Sequence, residues 1–323
     1  MKINCSIFGL VVCLVAFPVR SASLSGIPAF IDEMVVRHQF DRKELEKIFK
    51  RAKHLPLVVK TISLQKVAKP WLEYRAAFVN SQRVQFGLKF WRKYRKTLQR
   101  AEREFGVPQE IIIAIIGVET IYGKSAGTFR TLDALTTLAF DYPPREEFFR
   151  SELENYLLLA REQQFDMLNI RGSYAGAMGI PQFMPSSYRN YAVDFNGNKK
   201  TDLLREAGDA IGSVANYLKG YGWANSFPVA VRVKIDKKKL PGDFSAPRSI
   251  ADWAEIGIVP REELSDELSA RLLDFTLADG KEWWLVLNNF EVITRYNNSD
   301  FYAMSVFQLS QELKAASITN AVK

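Results

Sequence analysis

Glu119 stands just beyond an unbroken apolar run, Ile111-Ile112-Ile113-Ala114-Ile115-Ile116, in the segment Gly117-Val118-Glu119-Thr120-Ile121-Tyr122-Gly123. Burying a charged carboxylate is costly unless it is paired, so a carboxyl in such a setting holds its proton toward neutral pH. A carboxylic acid still protonated near neutrality is what a glycosidic oxygen needs from a general acid. The residues alone leave a second reading equally open, a helix-end glutamate that is solvated or paired with an arginine. Most glycosidases flank the scissile bond with two carboxylates, about 5–5.5 Å or about 6.5–9.5 Å apart. The next acidic residues, Asp133, Asp141, Glu146 and Glu147, lie in less apolar segments. None is marked as a partner, and a single-acid mechanism stays open. Metal hydrolysis has little support, because His38 and His54 are the only histidines and lack ligand spacing. The serine-hydrolase elbow and the phosphate-binding loop are both missing.

The elements that must position Glu119 read as mainly helical. Phe30, Met34, Val35 and His38 mark one amphipathic face, and Leu45, Ile48 and Phe49 another. Residues 81–105 form a long basic segment whose aromatics, Phe86, Phe90, Trp91 and Tyr94, read as core. Pro108 suits a first helical turn, and the isoleucine run after it, apolar on all sides, predicts a central buried helix. Further helices are expected over 131–140, 146–164, 185–191 and 208–220. A glycine-rich bend (172–179) and a polar loop (194–202) lie between them. After Gly222 the texture changes: 229–235 alternates like a half-buried strand, 283–293 suggests strands, and 302–313 returns to helical spacing. The expected class is mainly α (α+β), with a small β-containing part late in the chain.

Lys2, the apolar run Ile7 to Val19 and the small residues around Ser21 and Ala22 have the layout of a cleavable signal peptide. The run is shorter than the roughly 20 residues of a membrane span. An uncleaved anchor is the alternative. Val12 before Cys13 disfavours a lipoprotein anchor. Cys5 and Cys13 are the only cysteines, so cleavage near Ser21 leaves no disulfide or thiol chemistry. The formal charge is +8, to which Lys2 and Arg20 contribute two charges. A basic exported protein favours an anionic polymer, whether cell wall, lipid surface or nucleic acid, and charge does not choose among them. Lys237-Lys238-Lys239 is too short for a nucleic-acid signature and reads as a solvated turn.

Several ordered blocks resemble the lytic murein transglycosylase B family. They are Glu119-Thr120 with Tyr122-Gly123, Tyr174-Ala175-Gly176-Ala177-Met178-Gly179, Gln182-Phe183-Met184-Pro185-Ser186-Ser187-Tyr188 and the run Asp209 to Tyr217. Thr294-Arg295-Tyr296-Asn297 and Tyr302-Ala303-Met304 continue the match, which covers essentially the whole chain after the leading segment. The resemblance implies a lysozyme-like core with flanking helical and β parts. Its implied division is a signal peptide (1–22), a helical domain (23–105, joined by 303–323), a catalytic core (106–226) and a small β-containing domain forming a groove wall (227–302). The implied activity cleaves the β-1,4 bond between N-acetylmuramic acid and N-acetylglucosamine in periplasmic peptidoglycan, leaving a 1,6-anhydro ring. The glutamate would act first as acid and then as base, assisted by the substrate's acetamido group, which makes a second carboxylate unnecessary. A hydrolytic muramidase and a non-catalytic peptidoglycan-binding scaffold are the competing readings.

The same resemblance places Ser173 near the catalytic carboxyl and Met178, Gln182, Phe183, Tyr296 and Asn297 along the sugar groove. Met178 and Phe183 have packing as their alternative. Arg145 matches one of two adjacent arginines, with Pro144 in the neighbour's place, which weakens or alters the expected contact with muropeptide carboxylates. The loop Asp194 to Asp202 resembles the family's EF-hand-like calcium loop. The implied ligands are Asp194, Asn196, Asn198, the Lys200 carbonyl and Asp209. Lys199 replaces the turn glycine, Asn198 a charged ligand, and one extra residue precedes Asp209. Catalysis needs no cofactor on this reading, and any calcium is structural. The implied partner is the peptidoglycan strand, bound by a monomer and with no nucleic acid. Cell-wall synthesis or secretion machinery is a further partner class that no residue specifies.

Overall fold

The computed structural model describes residues 25–64, 69–235, 244 and 246–321. The proposed signal segment, with both cysteines, and the Lys237-Lys238-Lys239 run lie outside the described residues. The first part of the chain forms α1 (Ile27–His38), α2 (Arg42–Lys50), α3 (Pro56–Leu64), α4 (Trp71–Phe78), α5 (Ser81–Lys93) and α6 (Arg95–Phe105). Asp41 starts α2 by accepting the Glu44 N–H at 2.8 Å, and Asn80 starts α5 by accepting that of Arg83 at 3.0 Å. The long segment expected over 81–105 is broken at Tyr94, which ends α5 and begins α6 with non-helical backbone angles. Gly106, at φ 73°, closes α6.

Next come α7 (Gln109–Thr120), β1 (Phe129–Arg130), α8 (Thr131–Asp141) and α9 (Glu146–Glu162), with one 3-10 turn, Pro143–Arg145, between the last two. β2 (Arg171–Gly172), α10 (Pro185–Tyr191) and α11 (Ala207–Gly220) follow. Helix α7 is buried from Glu110 to Val118, as its all-round apolar sequence requires. Its one buried acid near the start, Glu110, pairs with Lys314 at 2.9 Å.

A five-stranded antiparallel sheet is inserted late, from β3 (Ala230–Ile235), β4 (Arg248–Ser249), β5 (Ile258–Pro260), β6 (Ser269–Leu277) and β7 (Gly280–Val286), in the order β4-β6-β7-β3-β5. A short helix, α12 (Ile250–Glu255), is capped by Ser249 and buries Trp253 among Val231, Leu272 and Leu285 on one side of the sheet. The other side joins the main core through Phe275, Trp284 and Val286. Phe275 packs on Trp71 of α4 at 4.6 Å between ring centres.

The chain then forms α13 (Asn288–Tyr296) and α14 (Asp300–Ala321). Strand texture over 283–293 holds only to Val286. Beyond it, buried Asn289 accepts the Ala224 N–H and donates to the Ala224 and Phe227 carbonyls, fixing a turn that launches α13. Phe290 and Ile293 then fall at helical spacing into the core, so packing overrides β-branched preference. Helix α14 returns to lie along α7 and α5. Among the described residues, no helix is long and apolar enough to cross a membrane.

Candidate active site

Glu119 occupies the last full turn of α7, half-buried. The helix stops there because Ile121 and Tyr122 take left-handed backbone angles, φ 51° and 61°. A β-branched residue in that region is strained by about 1–3 kcal/mol and persists only when its surroundings hold it. Two sets of contacts do so. Thr120 donates its hydroxyl to the Ile180 carbonyl at 2.7 Å and accepts the Gly123 N–H at 2.9 Å. Tyr122 slots between α7 and α5, where its hydroxyl donates to the Arg83 carbonyl at 2.9 Å. A Cβ on Gly117 would lie 2.6 Å from that hydroxyl oxygen, and one on Gly87 2.5 Å from it, so glycine is required on both helices.

Burial raises the Glu119 pKa to about 7, against two opposing influences, a hydrogen bond from Tyr302 and the positive charge of Arg83. Tyr302, on α14, donates its phenolic proton to Glu119 Oε1 at 2.5 Å. Burial and the facing Glu119 charge hold the Tyr302 hydroxyl well above its ordinary pKa, which keeps it a donor. Tyr74, on α4, is pushed up to about 12 by burial and the same charge. Arg83 is itself held by the Gly117 and Val118 carbonyls at the end of α7. Tyr302, Tyr74 and Arg83 carried no assigned role in the sequence. The block Tyr302-Ala303-Met304 was the available signal for the first.

An aromatic wall extends from this pair. Tyr296 stacks on Tyr302 with ring centres 6.4 Å apart and planes at 13°, and its hydroxyl donates to the Pro181 carbonyl at 2.5 Å. Phe183 and Tyr217 pack on Tyr296 at 5.7 and 4.9 Å. The bend from Gly172 to Phe183 is closed by backbone pairing of Met178 with Gly172 and Phe183. At its start the Ser173 Oγ accepts the Ala175 and Ala177 N–H groups at 3.2 and 3.1 Å, which leaves its own proton to give. Gln182 adopts φ 52° and gives its Nε2 protons to the Ala126 and Gly179 carbonyls, so Oε1 is the side-chain atom left for a ligand.

Glu119, Tyr296, Phe183 and the 172–183 bend are thus brought together, with differences from the expected roles. Met178 and Phe183 are 0% and 2% exposed, and their side chains belong to the core, Phe183 beneath the Tyr296 ring. Asn297 is exposed where α13 ends. Arg145 lies elsewhere, in the turn before α9, stacked on Phe148 at 4.1 Å and facing Glu152. Glu152, buried, accepts the N–H and hydroxyl of Ser186 at 2.9 and 2.6 Å and so anchors the start of α10.

The polar loop is organised around Asp194, which accepts the Gly197, Asn198 and Lys199 N–H groups. Burial would raise its pKa, but these bonds outweigh it and hold the carboxyl below its ordinary range. Lys199 takes φ 67°, supplying the left-handed turn without glycine. Asp209 is 0% exposed, and its two oxygens accept the Phe195 and Asp202 N–H groups, each at 2.9 Å. Glu206, unassigned in the sequence, is the carboxylate that meets the Asn196 and Asn198 amides. The set is made of oxygen donors only, which fits a hard cation. Both Asp209 oxygens are engaged by backbone N–H groups, while Glu206 faces the asparagine amides. Among the described residues, this loop included, no three His, Cys, Asp or Glu side chains gather as a metal site.

Comparison with known proteins agrees with this geometry. Residues 24–311 match the transglycosylase SLT domain family, and the chain belongs to it. It is 46% identical over 299 residues to membrane-bound lytic murein transglycosylase B of Escherichia coli K12, covering 90% of this chain and 82% of that protein. The structure superposes on the Escherichia coli lytic transglycosylase Slt35 in complex with bulgecin A, with TM-score 0.86, 46% identity, and 91% and 94% of the two chains covered. A second structure of that protein, in complex with calcium, gives TM-score 0.85 at the same identity and coverage. The mainly α, lysozyme-like architecture expected from the sequence is the one found.

Proposed function

We infer that this chain is a peptidoglycan lytic transglycosylase in which Glu119 is the single acid/base. The supporting observation is a carboxyl with pKa about 7 at the end of the buried helix α7, hydrogen-bonded by Tyr302 beside the Tyr296 ring. Its proton passes to the glycosidic oxygen as the C1–O bond of N-acetylmuramic acid breaks, and N-acetylglucosamine leaves with that proton on its hydroxyl. The acetamido oxygen of the muramic acid holds C1 meanwhile. The Glu119 carboxylate, steadied by Tyr302, then takes the C6 hydroxyl proton as O6 bonds to C1 and the acetamido oxygen leaves C1, restoring the acetamide. Glu119 regains its proton and no water is consumed. Ser173 and Gln182 bind sugar hydroxyl and acetamido groups, Tyr296 and Asn297 form the wall, and Met178 and Phe183 support it from below. Arg145 is placed to meet a peptide carboxylate at the corner between α8 and α9, away from the reacting bond.

The loop 194–209 is assigned a structural calcium ion, in keeping with the calcium complex of the Escherichia coli protein. Asp194, Asn196, Asn198, the Lys200 carbonyl and Glu206 would hold it, with Asp209 fixing the backbone behind them. The ion neutralises the gathered oxygens and takes no part in the proton steps. The proposed substrate and the apolar leading segment of the sequence support a periplasmic location. Mass spectrometry of digested sacculi tests the reading. Wild type should release 1,6-anhydro ends and Glu119→Gln almost none. Reducing muramic acid ends from wild type would establish a hydrolase instead.

A further inference from the structure

A cleft of about 350 Å³ opens where α5, the turn after α7 and the residues before α11 meet. Lys89 and Lys93 of α5, Lys124 and Arg205 all line it, and no aspartate or glutamate does. Among the described residues, none of the three lysines forms an ion pair. Lys124 instead sits over the Phe86 ring at 3.1 Å, and Lys93 over Tyr94 at 5.0 Å. Arg205 reaches Asp202 only at 3.5 Å and is 79% exposed. Four cations converging on one concave surface repel each other until an anion enters.

The position of this cleft indicates which anion. Gly123 and Ile180 line it, and both belong to the scaffold of Glu119: the Gly123 N–H and the Ile180 carbonyl bond Thr120, the residue after Glu119. Three residues beyond Gly123, the Ala126 carbonyl accepts a proton from Gln182, which the transglycosylase reading assigns to sugar binding. A glycan strand seated against Glu119 would have one edge beside the cleft. On such a strand the anionic groups are the carboxylates of the peptide stems. Aromatic rings beneath the lysines suit the aliphatic parts of a peptide.

We propose that this cleft is a subsite for the carboxylates of a peptide stem, held by Lys89, Lys93, Lys124 and Arg205, so that the enzyme selects stem-bearing strands. The proposal rests on the transglycosylase reading above and deepens it. The first test compares wild type with the combined Lys89→Gln, Lys93→Gln, Lys124→Gln variant, whose changes are all at exposed positions. Substrates are intact murein strands and strands stripped of stems by an amidase, and anhydro products are quantified by mass spectrometry. The ratio of kcat/KM on stem-bearing to stem-free strands should fall at least tenfold in the variant. An unchanged ratio overturns the proposal. The second test is independent of turnover. Calorimetry follows free L-Ala-D-Glu-diaminopimelate, and separately inorganic phosphate, binding to wild type and variant. Saturable tripeptide binding that the variant loses supports the subsite. Phosphate binding without tripeptide binding, or tripeptide binding equal in both proteins, overturns it. Absence of anhydro products from wild type would remove the transglycosylase reading alone, and the calorimetry would still decide the subsite.

Discussion

Removing one oxygen tests how Glu119 is tuned. In Tyr302→Phe the ring still fills its place against Tyr296, but the 2.5 Å bond to Glu119 is lost. That bond lowers the Glu119 pKa from where burial alone would put it. A hydrogen bond to a charged group contributes about 1.5–3 kcal/mol, and one pKa unit is about 1.4 kcal/mol. The Glu119 pKa should therefore rise from about 7 by about one to two units. Since the carboxyl must begin protonated, the basic limb of the pH–kcat profile should move up by that amount. At its optimum the rate should fall by about tenfold to about a hundredfold, because the carboxylate formed on proton donation loses its partner. The assay is anhydro-muropeptide release from sacculi between pH 5 and about pH 9, with a thermal melt to confirm that the fold is kept. A basic limb that stays in place or moves down would refute the reasoning.

Three further outcomes follow from the same structure. Glu119 has a folded pKa raised from 4.5 to about 7, so the native state holds its proton longer than the unfolded chain as pH rises. The associated stability is present below pH 4.5 and is lost as pH climbs to about 7, on the order of 3 kcal/mol. Glu119→Gln should therefore melt several degrees higher than wild type at pH 8 but not at pH 4.5; equal differences at both would count against a buried acid. Ser173→Ala strands the Ala175 and Ala177 N–H groups and should cost about 1–3 kcal/mol as well as activity, measured by denaturant unfolding beside kcat/KM. Calcium should raise the melting temperature of wild type, and much less that of Glu206→Gln, whereas Asp209→Asn should be destabilised even in a chelator. A full calcium response in Glu206→Gln would return the ligand role to Asp209.

Much of this was legible in the chain because local pattern and final packing agree. The isoleucine run reads as a buried helix and is one, and the acid at its end inherits that environment. The strand over 229–235 alternates because β3 has one side in the sheet's own core. What escaped the sequence depends on contacts between distant segments. Tyr302 meets Glu119 across 183 positions, and no spacing rule connects them. The turn into α13 is imposed by Asn289 holding the backbone at Ala224 and Phe227, against the β-branched residues that follow. Asp209 and Glu206 are both acids near the loop's end, and sequence cannot tell which one is consumed by backbone amides. Met178 and Phe183 occupy the resembling positions, and only the folded structure shows that both side chains are buried.

Helix α14 also ties the acid to the completeness of the fold. Tyr302, which donates to Glu119, and Lys314, which neutralises Glu110 at the far end of α7, stand on that one helix. A single docking event therefore covers one side of the isoleucine helix and gives the acid its donor. A folding intermediate with α14 undocked carries Glu119 without its tuning partner, so the strength of the acid reports whether the fold has closed.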